Sequence, residues 1–171
     1  MPIPVELYTV AGILRGVVPR PGPVRDVLEH DSLIAIERAT FQPLGGRAGP
    51  EDALSLEPDE ILLATDESRD GGPVHALWHA LRLWTGPYLV EGQLATMPGF
   101  DPARSLTRPT GTWIRLRDAR VALADTPYEE LASHEAVLIH RYEVERVESD
   151  LLLTLTFPGA EVSVAASGST G

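Results

Sequence analysis

The stretch LWTGPYLVEGQL at residues 83–94 decides the fold, because it repeats an earlier stretch, LYTVAGILRGVV at residues 7–18. Each begins with a leucine, an aromatic residue and a threonine, and each carries a glycine at the same place, Gly16 in the first and Gly92 in the second. The same spacing of 76 positions separates the two triplets and the two glycines. An internal repeat changes the prediction for the whole fold, so it takes priority over any single motif.

Two later stretches continue the correspondence. Residues 34–41, IAIERATF, resemble residues 114–121, IRLRDARV, with four additional residues in the second copy. Residues 61–63 resemble residues 137–139 at the original spacing. We therefore expect one ancestral unit to be present twice.

The predicted unit is a small, strongly bent sheet. Each copy opens with a hairpin, and a glycine inside the second strand, Gly16 or Gly92, indicates a bulge or a close backbone approach. Bulges of this kind give the curvature that a small barrel-like sheet needs. In the first copy Pro23 begins a short helix in which Val24, Val27 and Leu28 share one face.

The fold class that follows is mainly β, with two tandem bent-sheet or barrel-like repeats, one short helix in each and pseudo-twofold packing. The second helix is expected near residues 101–106, and the segment 73–80 fits either a short helix or a strand. The predicted boundaries are 1–65 for repeat 1, 66–80 for a linker, 81–165 for repeat 2 plus a C-terminal hairpin, and 166–171 for a mobile tail.

Composition excludes several classes of function. The 171 residues carry a formal net charge of −11, which disfavours nucleic acid and anionic membranes as partners. All 14 basic residues are arginine, and lysine, asparagine and cysteine are absent. A GC-rich bacterial genome explains the joint absence of lysine and asparagine.

These absences also limit chemistry. Without cysteine there is no thiol nucleophile or thiolate metal site, and without lysine no Schiff base. The N-terminus has no basic and apolar segments of a signal peptide, and no apolar run is long enough to span a bilayer. We therefore expect a cytoplasmic protein that needs no cofactor.

Each copy resembles a family of uncharacterised bacterial domains. In that pattern an aliphatic-x-Thr strand precedes a strand with a glycine, a short Asp-x-Leu segment and a strand with Asp-Ala-x-Val. The first copy supplies residues 7–9, Gly16, residues 26–28 and residues 37–41; the second supplies residues 83–85, Gly92, Leu106 and residues 118–121. The resemblance implies a small β-rich fold without a known activity.

Arg104 and Arg108 resemble half of another motif, the Arg-x-x-x-Arg arm of the PilZ barrels that bind cyclic dinucleotides. The second half of that motif has no match downstream. A cyclic-dinucleotide-binding barrel therefore stays as one alternative function.

His75 and His79 are the candidate metal ligands. On a helix their spacing would place both imidazoles on one face, near the carboxylates of residues 66–70. The alternative is that both are ordinary solvent-facing histidines.

The one basic cluster in this acidic chain is the candidate ligand or partner surface. Trp113, Arg115 and Arg117 alternate along a predicted strand, with Arg104 and Arg108 upstream. An arginine–aromatic face suits a small anionic ligand or an acidic partner. Pairing of these arginines with the many acidic residues is the competing interpretation.

No nucleophile elbow, phosphate-binding glycine loop or zincin motif is present. The sequence therefore favours a non-catalytic scaffold, or a binding or regulatory module acting through self-association, a protein partner or a small ligand. A metal-dependent, hydrolase-like enzyme that uses His75, His79 and nearby carboxylates is the other alternative.

Overall fold

The computed structural model describes residues 1–69, 75–96 and 111–164. Within them the protein is mainly β, as predicted, with one α-helix, α1 (Val24–His30), and a 3-10 turn at Pro58–Glu60. The strands, in chain order, are β1 (Ile3–Thr9), β2 (Gly12–Val18), β3 (Ile34–Pro43), β4 (Gly49–Glu51), β5 (Leu54–Leu56), β6 (Leu63–Thr65), β7 (Leu77–Thr85), β8 (Tyr88–Thr96), β9 (Trp113–Leu123), β10 (Thr126–His140), β11 (Val144–Ser149) and β12 (Glu161–Val164).

The described strands form one open sheet in the order β12-β11-β7-β8-β9-β10-β6-β1-β2-β3-β4, with β5 paired to β3. Strands β1–β6 come from the first half of the chain and β7–β12 from the second. The halves meet where β10 pairs antiparallel with β6, at Val137↔Thr65, Leu138↔Ala64 and Ile139↔Leu63. We call this junction the seam.

The two glycines inside strands mark bulges, as predicted. The β2–β3 register shifts between Arg15 and Val17, on either side of Gly16, and the β8–β9 register shifts on either side of Gly92. A Cβ atom at Gly16 would lie 2.5 Å from Ile36 Cγ2, so a side chain there has no room. On the facing strands Arg38 and Asp118 both have a φ of 51°, a conformation rare outside glycine.

Helix α1 is confirmed, and Val24, Val27 and Leu28 are its buried residues. It packs on β9, where the Glu29 carboxylate accepts the backbone N–H groups of Thr112 and Trp113 at 3.0 and 3.1 Å. The helix therefore connects the first half of the chain with the second. The predicted second helix, at 101–106, lies outside the described residues, as does the predicted tail.

The core consists of two hydrophobic clusters, and each includes residues of both halves. Tyr8, Ile13, Leu62 and Leu63 come from the first half but belong to the cluster dominated by the second. Trp113 and Leu138 come from the second half but lie in the first-half cluster, among α1, Leu7, Leu14 and Ile36. Neither half therefore encloses its core alone.

The segment 73–80 is not a helix over its described part. Strand β7 begins at Leu77, inside the predicted linker, and pairs with β8 on one side and β11 on the other. Pairing of residues 77–80 with β8 fixes an extended backbone there. The sequence pattern alone fits a helix and a strand equally and does not indicate this pairing.

The predicted C-terminal hairpin is wrong. Residues 151–157 form turns rather than a strand, and β12 pairs with β11 in parallel, at Val147↔Val162. Leu153 and Phe157 of the connecting segment are buried in the second-half cluster, with 1% and 0% exposure. With these side chains buried, the segment covers the core. It also carries the chain back along the sheet, so that β12 begins parallel to β11.

Two large aromatic residues pack between the halves. Trp113 is 1% exposed in the first-half cluster, and the Tyr88 hydroxyl donates to the Thr9 carbonyl at 2.7 Å. Trp78 and Trp84 instead lie half-buried under arginine side chains. No helix in the described part of the chain is long and apolar enough to cross a membrane.

Candidate functional site

An apolar cavity of about 350 Å³ opens in the first half of the molecule. Its walls include Leu14, Phe41, Leu54, Leu56 and Leu62. The volume falls in the range of small-molecule sites, which are mostly apolar with a few polar groups.

The wall residues reach the cavity from several elements. Leu14 lies on β2, Phe41 on β3, and Leu54 and Leu56 on the short strand β5. Phe41, Leu54 and Leu56 are only partly buried against the first-half core. The cavity is therefore the incompletely closed end of that core.

Three carboxylates stand at the rim of the cavity: Asp59, Glu60 and Glu143. The 3-10 turn presents the first two, and a capping box stabilises it, since the Glu57 N–H donates to Glu60 Oε2 at 2.8 Å. Asp59 lies 3.0 Å from His140 Nε2, which links the rim to the end of β10. No arginine or lysine lines this cavity among the described residues.

This lining could bind a ligand that is mostly apolar. Apolar walls gain free energy by removing hydrocarbon surface from water, at about 25 cal/mol per Å². Carboxylates at the mouth attract a positive group. Thr9 supplies the only hydroxyl among the described lining residues, and it donates to the Gly12 carbonyl at 3.1 Å.

A polar cluster joins β1 and β2 of the first half to β10 of the second. The Tyr8 hydroxyl donates to the Glu6 carboxylate and lies 2.8 Å from His134 Nε2. Arg15 Nε donates to the same carboxylate at 3.0 Å. Burial would raise the pKa of Glu6, but hydrogen bonds from His134, Tyr8 and Arg15 outweigh it and lower that pKa to about 2. Burial, together with the Glu6 carboxylate, raises the pKa of Tyr8.

The hydrogen bonds of the cluster link three strands. A general acid or base works best when its pKa lies near the working pH. Glu6 remains ionised and Tyr8 remains neutral across the physiological pH range. The pKa values of both therefore lie far from those that suit a general acid or base. The cluster joins β1, β2 and β10 by charge-assisted hydrogen bonds.

The predicted basic surface is not assembled as expected. Trp113 is buried in the core, with 1% exposure, because α1 covers it and the Leu28 carbonyl accepts its indole N–H. Arg115 donates to the buried Asp66 at 2.7 Å. Arg117 stacks 3.5 Å from the Trp78 ring and donates to Gln93.

Both described arginines therefore have intramolecular partners, the interpretation that competed with ligand binding. Arg104 and Arg108 lie outside the described residues. Their part in a ligand surface, and the cyclic-dinucleotide alternative that depends on them, stays a prediction.

His75 and His79 do not share a helical face. His75 lies in a turn with a φ of 66°, and His79 lies on β7, 3.0 Å from Thr96 Oγ1 and 3.5 Å from Asp150. Among the described residues, no group of three or more His, Cys, Asp or Glu side chains is placed to hold a metal ion.

The cavity was not predicted from the sequence. One of its walls is the short strand β5 (Leu54–Leu56), which was not predicted either. The alternation Leu54-Ser55-Leu56 was the available signal for β5. The cavity itself has no local signal, because residues distant in the chain form it.

Comparisons of the chain with protein-family models, with curated proteins and with solved structures found no match.

Proposed function

We propose that the protein is a non-catalytic binding module whose first half takes a small ligand with an apolar body and a cationic group. The observation that carries this proposal is the 350 Å³ apolar cavity with three carboxylates at its mouth. The acidic rim supports a cation rather than the anion suggested by the arginine-rich stretch.

We also infer that the two halves descend from one duplicated unit, and the strand registers support this. Leu7↔Leu14 in β1–β2 corresponds to Leu83↔Val90 in β7–β8, at the spacing of 76 that the sequence shows. The bulges and the pair of positive φ angles recur at corresponding places. The following pairs also correspond: Phe41↔Gly49 with Val121↔Ala132, Ile34↔Leu56 with Ile114↔Ile139, and Leu7↔Ala64 with Leu83↔Val147.

These registers support a different match from the sequence for the last strands. The counterpart of residues 137–139 is β5 rather than residues 61–63, and the counterpart of β6 is β11. Since β4 and β5 together correspond to β10, each copy has five strands, with β10 as the fourth strand of the second copy and β6 as the fifth strand of the first. At the seam, the fourth strand of one copy therefore pairs with the fifth strand of the other. This favours a head-to-tail arrangement over the predicted pseudo-twofold packing, in which like strands would meet.

The duplication explains why a cavity remains in the first half. The hairpin turn of the second half is covered, since a Cβ atom at Gly86 would lie 2.6 Å from Leu62 Cδ1. The corresponding turn of the first half lines the cavity, and Val10 there is 67% exposed. Among the described residues, Val10 lacks the cover that Leu62 gives to Gly86.

Calorimetric titration with n-octylamine and with octanoate tests the proposal, because the two probes share a chain length and differ in charge. At roughly 0.4–0.5 kcal/mol per heavy atom, octylammonium is expected to bind with a Kd of about 1 mM. Octanoate is expected to bind at least about tenfold more weakly, because the rim carboxylates repel it.

Glu143→Arg should weaken octylammonium binding several-fold, while Glu145→Arg, an equal charge change at an exposed position outside the cavity, should not. Equal binding of both probes, or equal loss in both variants, would overturn the proposed site.

A further inference from the structure

The two ends of the sheet differ in how their edge strands are covered. The inference rests on the tandem arrangement inferred above. Strand β6 pairs with β10 on its outer edge, whereas its counterpart β11 pairs on that edge with β12. The strand β12 has only four residues, and two of them, Glu161 and Val164, are exposed.

At the other end of the sheet lies β5, the counterpart of the part of β10 that pairs with β6. In the described part of the chain β5 pairs with β3 alone. Within the described ranges, the outer edge of β5 is unpaired and the outer edge of β11 pairs with β12 alone. The counterparts of β5 and β11, which are β10 and β6, pair with each other at the seam.

Side chains near the two edges are complementary in charge. Trp84, the counterpart of Tyr8, lies on the outer face of β7, with the Arg146 guanidinium 4.5 Å and the Arg82 guanidinium 5.9 Å from its ring. The open end of the first half presents the apolar cavity and its three rim carboxylates. At the seam, Tyr8 is fully buried in the second-half cluster, so pairing at the equivalent edge would bury its counterpart Trp84.

We propose that β12 is a removable cap, and that its displacement lets a second copy of this chain pair its β5 edge with β11. The seam registers fix the intermolecular pairs as Leu54↔Glu148, Ser55↔Val147 and Leu56↔Arg146. Such a head-to-tail contact uses different surfaces on the two copies, so each added copy presents a new edge and the assembly grows beyond a dimer. The cap is one of the devices by which β-proteins protect a sheet edge.

The full-length variant Val162→Pro/Ser163→Pro tests the cap. Successive strand N–H groups point to alternate sides, so one of these two prolines removes a donor toward β11. By sedimentation velocity, we expect the wild type to be monomeric and the variant to form larger species that grow with concentration. Adding Trp84→Ala to the variant should restore the monomer.

Cysteine cross-linking tests the register, since the chain has no cysteine of its own. In the proline background, one chain carries Leu54→Cys and a second carries Glu148→Cys. Opposed residues of antiparallel strands lie within disulfide range, so the mixture should give a cross-linked dimer on oxidation. Glu145→Cys, about 10 Å further along the strand, should not cross-link.

Three results would overturn the cap: a folded proline variant that stays monomeric, a wild type that assembles equally, or assembly unaffected by Trp84→Ala. If the proline variant does not fold, Val162→Asp takes its place, with the same measurements and the same outcomes. Octylamine binding by the wild type does not depend on β12, so the titration and the assembly experiment can fail separately.

Discussion

At the scale of the residue, Glu6 combines partial burial with full hydrogen bonding. Its carboxylate accepts from Tyr8 and Arg15, and its backbone N–H donates to Thr65 on β6 at 2.9 Å. A buried carboxylate is costly unless its oxygens are paired. Glu6 is therefore a point where ionisation and folding are coupled.

We expect Glu6→Gln to flatten the acid end of the stability profile. The pKa of Glu6 falls from 4.5 to about 2 on folding, so its stabilisation is present above pH 4.5 and is lost as the pH falls toward 2. After allowance for solvent screening, the wild type should lose about 1–2 kcal/mol more than the variant over that range. Urea unfolding at a series of pH values measures this.

The exposed Glu145→Gln is the matched control and should follow the wild type. Parallel profiles for Glu6→Gln and the wild type below pH 4.5 would contradict the assignment.

At the scale of the element, the sequence predicted the features that depend on neighbouring residues, namely α1 and the two bulges. Pro23 and the spacing of Val24, Val27 and Leu28 predicted α1, and the glycines predicted the bulges. The burial of Trp113 could not be predicted, because it depends on α1 packing across β9 from more than eighty residues away in the chain. The reversal into parallel β12 likewise depends on the burial of Leu153 and Phe157.

Docking of α1 depends on Glu29. Its carboxylate is the acceptor for the N–H groups of Thr112 and Trp113 at the start of β9. Glu29→Ala leaves those donors without this acceptor, which should lower the free energy of unfolding by about 1–3 kcal/mol. Chemical denaturation measures the loss.

Glu37→Ala, on an exposed position of β3, removes the same side chain without such contacts and should cost under about 0.5 kcal/mol. A Glu29→Ala loss no larger than that of Glu37→Ala would mean that solvent replaces the carboxylate without penalty.

At the scale of the whole molecule, the sequence predicted two units packed against each other but not the core that they share. The repeat did not indicate that Trp113 would enter the first-half cluster while Tyr8 entered the second. The candidate site was missed for the same reason, since its walls combine β2, β3 and β5 with a rim residue, Glu143, from the other half.

Shared clusters should make the protein unfold in one step. Leu7→Ala creates a cavity in the first-half cluster and Leu83→Ala one in the second. Each should cost about 2–4 kcal/mol and shift a single transition rather than split it, because neither cluster persists without residues of the other half. Circular dichroism follows both halves, while the tryptophans report on the second-half strands and, through Trp113, on the first-half cluster.

The two signals should therefore coincide in the wild type and in both variants. Independent halves would instead give Leu7→Ala an early transition that leaves the second-half strands folded.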